Sequence, residues 1–312
     1  MTTYTLAQYL SELTLSLTKY YLTPIYIIGM IGNILNILIF YGRMLRSNGC
    51  SKYFIGMSIG QIFVLNTFGI TRIITYIVGY DIAQTTLSLC KIRIFTYILS
   101  LGLMRQFLCL ISLDRWIVST KHERIRKLSS SMYIRWLIVG SVLFWLLFSI
   151  HGLIGYEITP RGCGAPIGST YAYFYALQIT ISSIIPFFVI ALFSILTLYN
   201  IRSSARVHVS QASHSAITTV PTTQISVNYR RRERQLIKLS LLQVLAYVLL
   251  SMIATIAPLY SFLTSTLPKS TDQLAIDGFI VTSALILLYT YTAVRVSFIN
   301  LINYLFLFLK TF

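Results

Sequence analysis

Charge is scarce in this chain. Only 11% of its 312 residues are Asp, Glu, Lys or Arg, and just 8 are acidic. A soluble domain carries about 25% charged residues, so a water-soluble globule built from this sequence would lack the polar surface to cover itself. Cysteine is sparse too. Cys50, Cys90, Cys109 and Cys163 are the full set, and no two are spaced C-x-x-C, which leaves a zinc or thioredoxin-type site without support. No N-x-S/T sequon occurs, so glycosylation cannot assign sides. The first residues lack a basic stretch, an apolar core and a small-residue cleavage site, so the first spanning helix is expected to act as its own insertion signal. No internal repeat is evident, which weakens a transporter made of duplicated halves. His122, His208 and His214 fall in predicted loops and His151 stands alone. No constellation supports acid–base or metal chemistry, so neither an enzyme nor a cofactor is expected.

What the chain has in quantity is apolar sequence: 56% hydrophobic residues and a mean hydropathy of +0.74. A helix needs about 20 mostly apolar residues to cross a bilayer. Seven segments qualify: Tyr21–Tyr41, Tyr53–Val78, Leu87–Ile117, Tyr133–Tyr156, Tyr171–Ile201, Leu236–Leu263 and Ala275–Leu309. Lipid cannot satisfy a bare backbone, and no barrel-like alternation appears, so the predicted fold is all-α, an integral membrane bundle of seven helices. Residues 1–20 form a short N-terminal segment, 21–309 the bundle, and 310–312 the tail end. The stretch 202–235 is rich in Ser, Thr and Arg and reads as a flexible loop.

The net charge of +17 raises nucleic-acid binding as a rival. The basic residues instead sit in short clusters between apolar runs. Arg43, Arg46 and Lys52 follow the first span. Lys121, Arg124, Arg126, Lys127 and Arg135 follow the third. Arg202, Arg206, Arg230, Arg231, Arg232, Arg234 and Lys238 follow the fifth, and Lys310 lies beyond the seventh. The opposite side has far fewer: Lys19 before the first span, Lys91 and Arg93 at the start of the third, Arg161 and Lys269. The positive-inside bias predicts an external N-terminus and a cytoplasmic C-terminus. The same clusters suit anionic lipid.

Two features bracket the third span. Cys90 opens it, and Asp114-Arg115-Trp116 closes it. Residues 90 and 115 lie about 37 Å apart along an α-helix, enough to span a bilayer with its interfaces. With seven spans and an external N-terminus, the chain resembles the rhodopsin-like G-protein-coupled receptors, as a divergent member of the invertebrate neuropeptide-receptor type. Further matches are Gly32-Asn33 in the first span, Trp145 in the fourth, Pro186 in the fifth, and Asn300 with Tyr304 in the seventh.

The resemblance implies that Cys90 pairs with Cys163, against the plain alternative of two free thiols. It implies that Arg115 is held by Asp114 at rest and engages a heterotrimeric G protein on activation, with Asn300 and Tyr304 taking part. Asn33, Gln61, Trp145, Pro186 and Tyr247 would belong to the bundle core. There are departures. Leu301 replaces the proline of the Asn-Pro-x-x-Tyr pattern, Gln61 replaces a carboxylate, and the sixth span lacks its Cys-Trp-x-Pro signature, with Ser251 at the tryptophan position. Gln61, Met104 and Val296 make the family's sodium site weak or absent. Tyr97 stands where amine receptors carry Asp, and Val294 where opsins carry Lys, which disfavours amines and retinal.

Arg72 and Arg93 fall near the outer mouth. Arg93 sits about 40° around the helix from Arg115 and should face the bundle. With Tyr97 they are the candidate pocket for an acidic group, such as a peptide carboxylate. The plain alternative is snorkelling to lipid phosphate. Arg105 is too deep to snorkel and is expected to organise a buried polar network. Arg295 has no evident partner. The expected function is a plasma-membrane receptor for an extracellular ligand. The rival class is a seven-helix transporter or channel, which would need opposed charges at mid-membrane.

Overall fold

The computed structural model describes residues 5–42, 49–78, 80–159, 162–166 and 168–212, with 256, 259–260, 263–264, 270–280, 282–283 and 286 beyond them. The chain is mostly helical. Five helices among the described residues are long and apolar enough to cross a membrane: Leu6–Tyr41, Gly49–Thr75, Leu87–Ser119, Ser131–Gly155 and Thr170–Ile201. Each coincides with one of the first five predicted spans. The sixth and seventh, with Tyr247, Ser251, Arg295, Asn300 and Tyr304, lie wholly or largely outside the described residues.

The first helix is longer than hydropathy alone indicates. α1 (Leu6–Leu17) begins at a capping box, in which Thr5 Oγ1 accepts from the Gln8 amide at 3.4 Å and Gln8 Oε1 accepts from the Thr5 amide at 3.2 Å. This pairing satisfies two otherwise orphaned donors. One wide π-helical turn, Thr18–Leu22, joins it to α2 (Thr23–Tyr41). Pro24 accounts for the wide turn: it has no N–H to donate to the carbonyl four residues back, and its ring crowds that carbonyl.

α3 (Gly49–Val64) and α4 (Thr71–Val78) are likewise joined by a π-helical segment, Leu65–Ile70. Side chains bond back to the backbone along this stretch. Asn66 Nδ2 donates to the Ile62 carbonyl at 2.8 Å, and Thr67, Thr71 and Thr75 each donate to the carbonyl four residues earlier at 2.7–2.8 Å. Tyr26 on α2 donates to Asn66 Oδ1 at 3.0 Å, tying the two rods together.

After the short α5 (Ile82–Thr85) comes α6 (Leu87–Ser119), the central rod, 33 residues long. It packs against α3, α8 (Ser131–Gly155) and α9 (Thr170–Ala212), while α2 packs on α3. The single turn α7 (Glu123–Arg126) and a 3₁₀ turn, Lys127–Ser129, lead into α8. Close approach is set by small residues, as is usual where helices pack in lipid. A Cβ on Gly102 of α6 would run into the Trp145 indole of α8, and one on Gly49 into Ile134. Between α8 and α9 the helical bundle acquires a two-stranded antiparallel hairpin, β1 (Glu157–Thr159) and β2 (Gly162–Gly164), with Ile158 opposite Cys163. Gly162 has φ +101°, a conformation that favours glycine.

α9 carries on past the predicted end at Ile201 to Ala212, so residues 202–212 are helix rather than loop. A nucleated helix propagates at little cost through Arg, Ala and Val even where hydropathy has fallen. Outside and inside are reversed relative to a soluble protein. Ile27, Ile31, Ile34 and Leu38 of α2 and Leu147, Ile150 and Ile154 of α8 face outward, whereas Asn33, Asn36, Ser58, Gln61, Ser100, Ser112 and Ser149 are buried. An apolar belt of that extent belongs in lipid. This is the build of a multi-pass membrane protein.

Candidate functional site

The functional residues expected from sequence are strung along α6, and the fold gives its two ends different fastenings. At the Leu87 end, Cys90 is fully buried and disulfide-bonded to Cys163 of β2, with 5.7 Å between the Cα atoms. The hairpin is thereby pinned over the end of the rod. Ile94, Ile98 and Tyr156 are buried beside the bridge, with Phe148, Tyr171 and Tyr175 against them. His151 Nδ1 lies 2.9 Å from the Tyr171 hydroxyl, and its ring meets Phe148 and Phe174 edge-on. His151 is thus a spacer in an aromatic cluster joining α8 to α9.

One helical turn below the bridge, Arg93 donates to Asp81 Oδ2 at 2.7 Å, with both side chains about one-seventh exposed (15% and 14%). Asp81 Oδ1 also accepts from the Ala83 amide at 3.0 Å and so caps α5. The Arg93 guanidinium lies over the Phe68 ring at 5.9 Å, and Phe68 packs on Tyr97 at 4.3 Å between centroids. Arg93 faces inward as the periodicity requires. Its charge is already matched, so an acidic group entering here would compete with Asp81. Arg72 lies in α4, and its side chain is outside the described set.

At the other end, Asp114 is buried, 4% exposed. The Arg115 Nη2 to Asp114 Oδ2 distance is 3.4 Å, longer than the 2.7–2.9 Å of a strong charge-assisted bond. The shorter contact comes from Ser129, whose hydroxyl donates to Asp114 Oδ1 at 2.6 Å. Ser129 ends the 3₁₀ turn before α8, so this bond ties the loop to the rod. Trp116 packs on Phe193 of α9 at 5.4 Å, and Asn200 of α9 donates to Ser119 Oγ at 3.1 Å. The Asp114 end is therefore fastened to the 3₁₀ turn before α8 and to α9 by polar and aromatic contacts, with no covalent link among the described residues.

Between the ends, Asn33, Gln61, Trp145 and Pro186 are buried, while Tyr247 lies outside the described residues. Asn33 Nδ2 donates to the Gly29 carbonyl at 2.8 Å. Gln61 is fully buried on α3, and neither of its amide atoms has a hydrogen-bond partner among the described residues; its neighbour Gly60 faces the part of α6 that carries Ser100 and Met104. Trp145 is buried against Gly102. Pro186 lies inside α9 and cannot donate to the Ser182 carbonyl four residues back. Arg105 Nη1 donates to the Ser182 hydroxyl at 2.8 Å, so the deep arginine joins α6 to α9.

Three partners were not singled out from sequence: Asp81 for Arg93, Ser182 for Arg105 and Ser129 for Asp114. Only the first left a local signal, since an Asp two residues before Ala83 is a natural helix cap. Compared with known proteins, the chain matches no family model and no curated sequence.

Proposed function

We propose that the chain is a receptor of the rhodopsin-like type: seven spans, an external N-terminus, and a cytoplasmic face built around Asp114, Arg115 and Trp116. An extracellular ligand, a peptide in preference to an amine or retinal, enters near Arg93 and Tyr97 at the disulfide end. Its higher affinity for one arrangement of the helices shifts the population toward that arrangement. The change frees Arg115 from Asp114 and presents its guanidinium to a heterotrimeric G protein at the plasma membrane.

The observation that carries this reading is the disposition of one helix. α6 is bridged covalently at Cys90, and its far end holds an arginine by a long pair to a neighbouring carboxylate. Arginine stays charged at any physiological pH, so releasing it switches a fixed cation from buried to available. The positive-inside bias puts that cation on the side of the basic connections.

The test is a second-messenger assay in cells expressing the full chain, screened against a peptide library with Arg115→Ala alongside. A ligand response in the parent chain that is lost in R115A, at equal surface expression, supports the assignment. A response of equal size in R115A overturns it. Epitope tags before residue 20 and after residue 310 should report from opposite faces of the membrane, and tags on one face would remove the seven-span reading.

A further inference from the structure

Midway along the rod, α6, α8 and α9 line a pocket with about 20 Å³ of room for a water-sized particle, whose wall includes Tyr97, Arg105, Trp145, Gln178 and Ser182. Three of these side chains carry a buried polar atom with no hydrogen-bond partner: Arg105 Nε, Trp145 Nε1 and Gln178 Oε1. Two of the three are N–H groups, and neither can act as an acceptor.

Arg105 is 8% exposed. Its hydrogen bond goes to a neutral hydroxyl, Ser182, and it makes no ion pair among the described residues. A buried lysine or histidine would shed its proton in such a place, but a guanidinium cannot. Among the described residues no carboxylate pairs with it. The acidic residues are Glu12, Asp81, Asp114, Glu123, Glu157, Glu233, Asp272 and Asp277. Asp81 and Asp114 are paired elsewhere, and Asp114 is about 13 Å further along the same helix. Glu12, Glu123, Glu157, Asp272 and Asp277 belong to the N-terminal helix, to connections or to the first turns of a helix, and Glu233 lies outside the described residues.

We propose that this cavity binds one halide-sized anion, chloride in the cell, held by the Arg105 guanidinium and the Trp145 indole N–H. Volume selects the class. A cavity of 10–15 Å³ or more admits one water-sized particle, and a chloride ion is of that order. The Gln178 amide, turned about its last bond, presents its NH₂ to the anion, and the Tyr97 hydroxyl supplies a further donor. The ion bridges three helices at the level of Pro186, so its occupancy sets how firmly α9 is held to α6. The proposal stands independently of G-protein coupling.

The experiment uses the purified full chain in lipid nanodiscs, in gluconate buffer of constant ionic strength titrated with sodium chloride. Thermal unfolding is the readout. A saturable rise in Tm on the order of 5 °C is expected, reproduced by bromide and lost in Arg105→Gln. In gluconate R105Q should unfold at or above the parent Tm, because it removes a buried unmatched charge. Trp145→Phe keeps the ring and removes the donor, so the chloride midpoint should move about tenfold upward even if R105Q fails to fold. Equal Tm in chloride and gluconate overturns the proposal and leaves a water in the cavity. Retention of the full shift in R105Q, or an unmoved midpoint in W145F, overturns the assigned ligands. Stabilisation by acetate but not by chloride would reassign the site to a carboxylate.

Discussion

The two ends of α6 are built on opposite principles. At Cys90 the rod is joined covalently to a hairpin, backed by an aromatic cluster, and flanked by an ion pair at 2.7 Å. At Asp114 it is held by a pair at 3.4 Å, one serine hydroxyl at 2.6 Å and ring contacts to α9. Hydrogen bonds to a charged group contribute about 1.5–3 kcal/mol each and exchange for others without breaking the chain. A two-state device requires one part that stays put and one whose contacts can be traded. The two ends of the rod differ in that sense, and the difference supports the proposed switch.

The largest effect should come from the fixed end. Closing a loop across a sequence separation of 73 residues is worth about 4 kcal/mol on the chain-entropy estimate. Cys90→Ser and Cys163→Ser should each lower stability by about that amount, measured by thermal unfolding of purified protein, and the double substitution should cost no more than either single one. Additive losses would mean that the two cysteines act independently and that the disulfide end is not the anchored one.

Next comes the segment that transmits between the ends. Gly102 sits under Trp145 with no room for a Cβ, so Gly102→Val should separate α6 from α8 and cost about 3 kcal/mol. A loss of less than a third of that would show that the rod repacks easily and that its ends are poorly coupled. At the exchangeable end, Asp114→Asn keeps an acceptor for Ser129 but removes the charge facing Arg115. A smaller loss is expected, about 2 kcal/mol, together with a several-fold rise in basal second-messenger output. Unchanged basal output at equal surface expression would place Asp114 among the structural residues.

Hydropathy made the five described spans legible because each reports a free energy of transfer into lipid, summed along one helix. The inward aim of Arg93 was legible for a similar reason, being a matter of helical phase. What stayed hidden is whatever depends on a second element. Ser129 lies in a loop with no periodicity, and nothing local says that its hydroxyl reaches Asp114. Ser182 is one of many serines bonding back to its own helix, at 3.0 Å to the Ile179 carbonyl, and its second role as acceptor for Arg105 depends on how α9 packs. Neither the helix before the first span nor the wide turn at Thr18–Leu22 was read from sequence, because α1 starts from a capping box rather than from hydropathy. The Cys90–Cys163 pairing was reached only through resemblance to a receptor family, since the spacing of four cysteines does not choose a partner.

The smallest effect tests the comparison most finely. Ser129→Ala removes the 2.6 Å bond to Asp114 and should cost about 1.5 kcal/mol, the low end for a bond to a charged group. Its value lies in the cycle with Asp114→Asn. If serine and arginine share one carboxylate, each holding a different oxygen, losing Ser129 lets the carboxylate turn fully toward Arg115. Basal output of S129A should then fall below the parent, opposite in sign to D114N, and the double variant should behave as D114N alone. Should S129A instead raise basal output, Ser129 is what orients the carboxylate for Arg115, and the loop before α8 becomes part of the lock rather than a competitor for it.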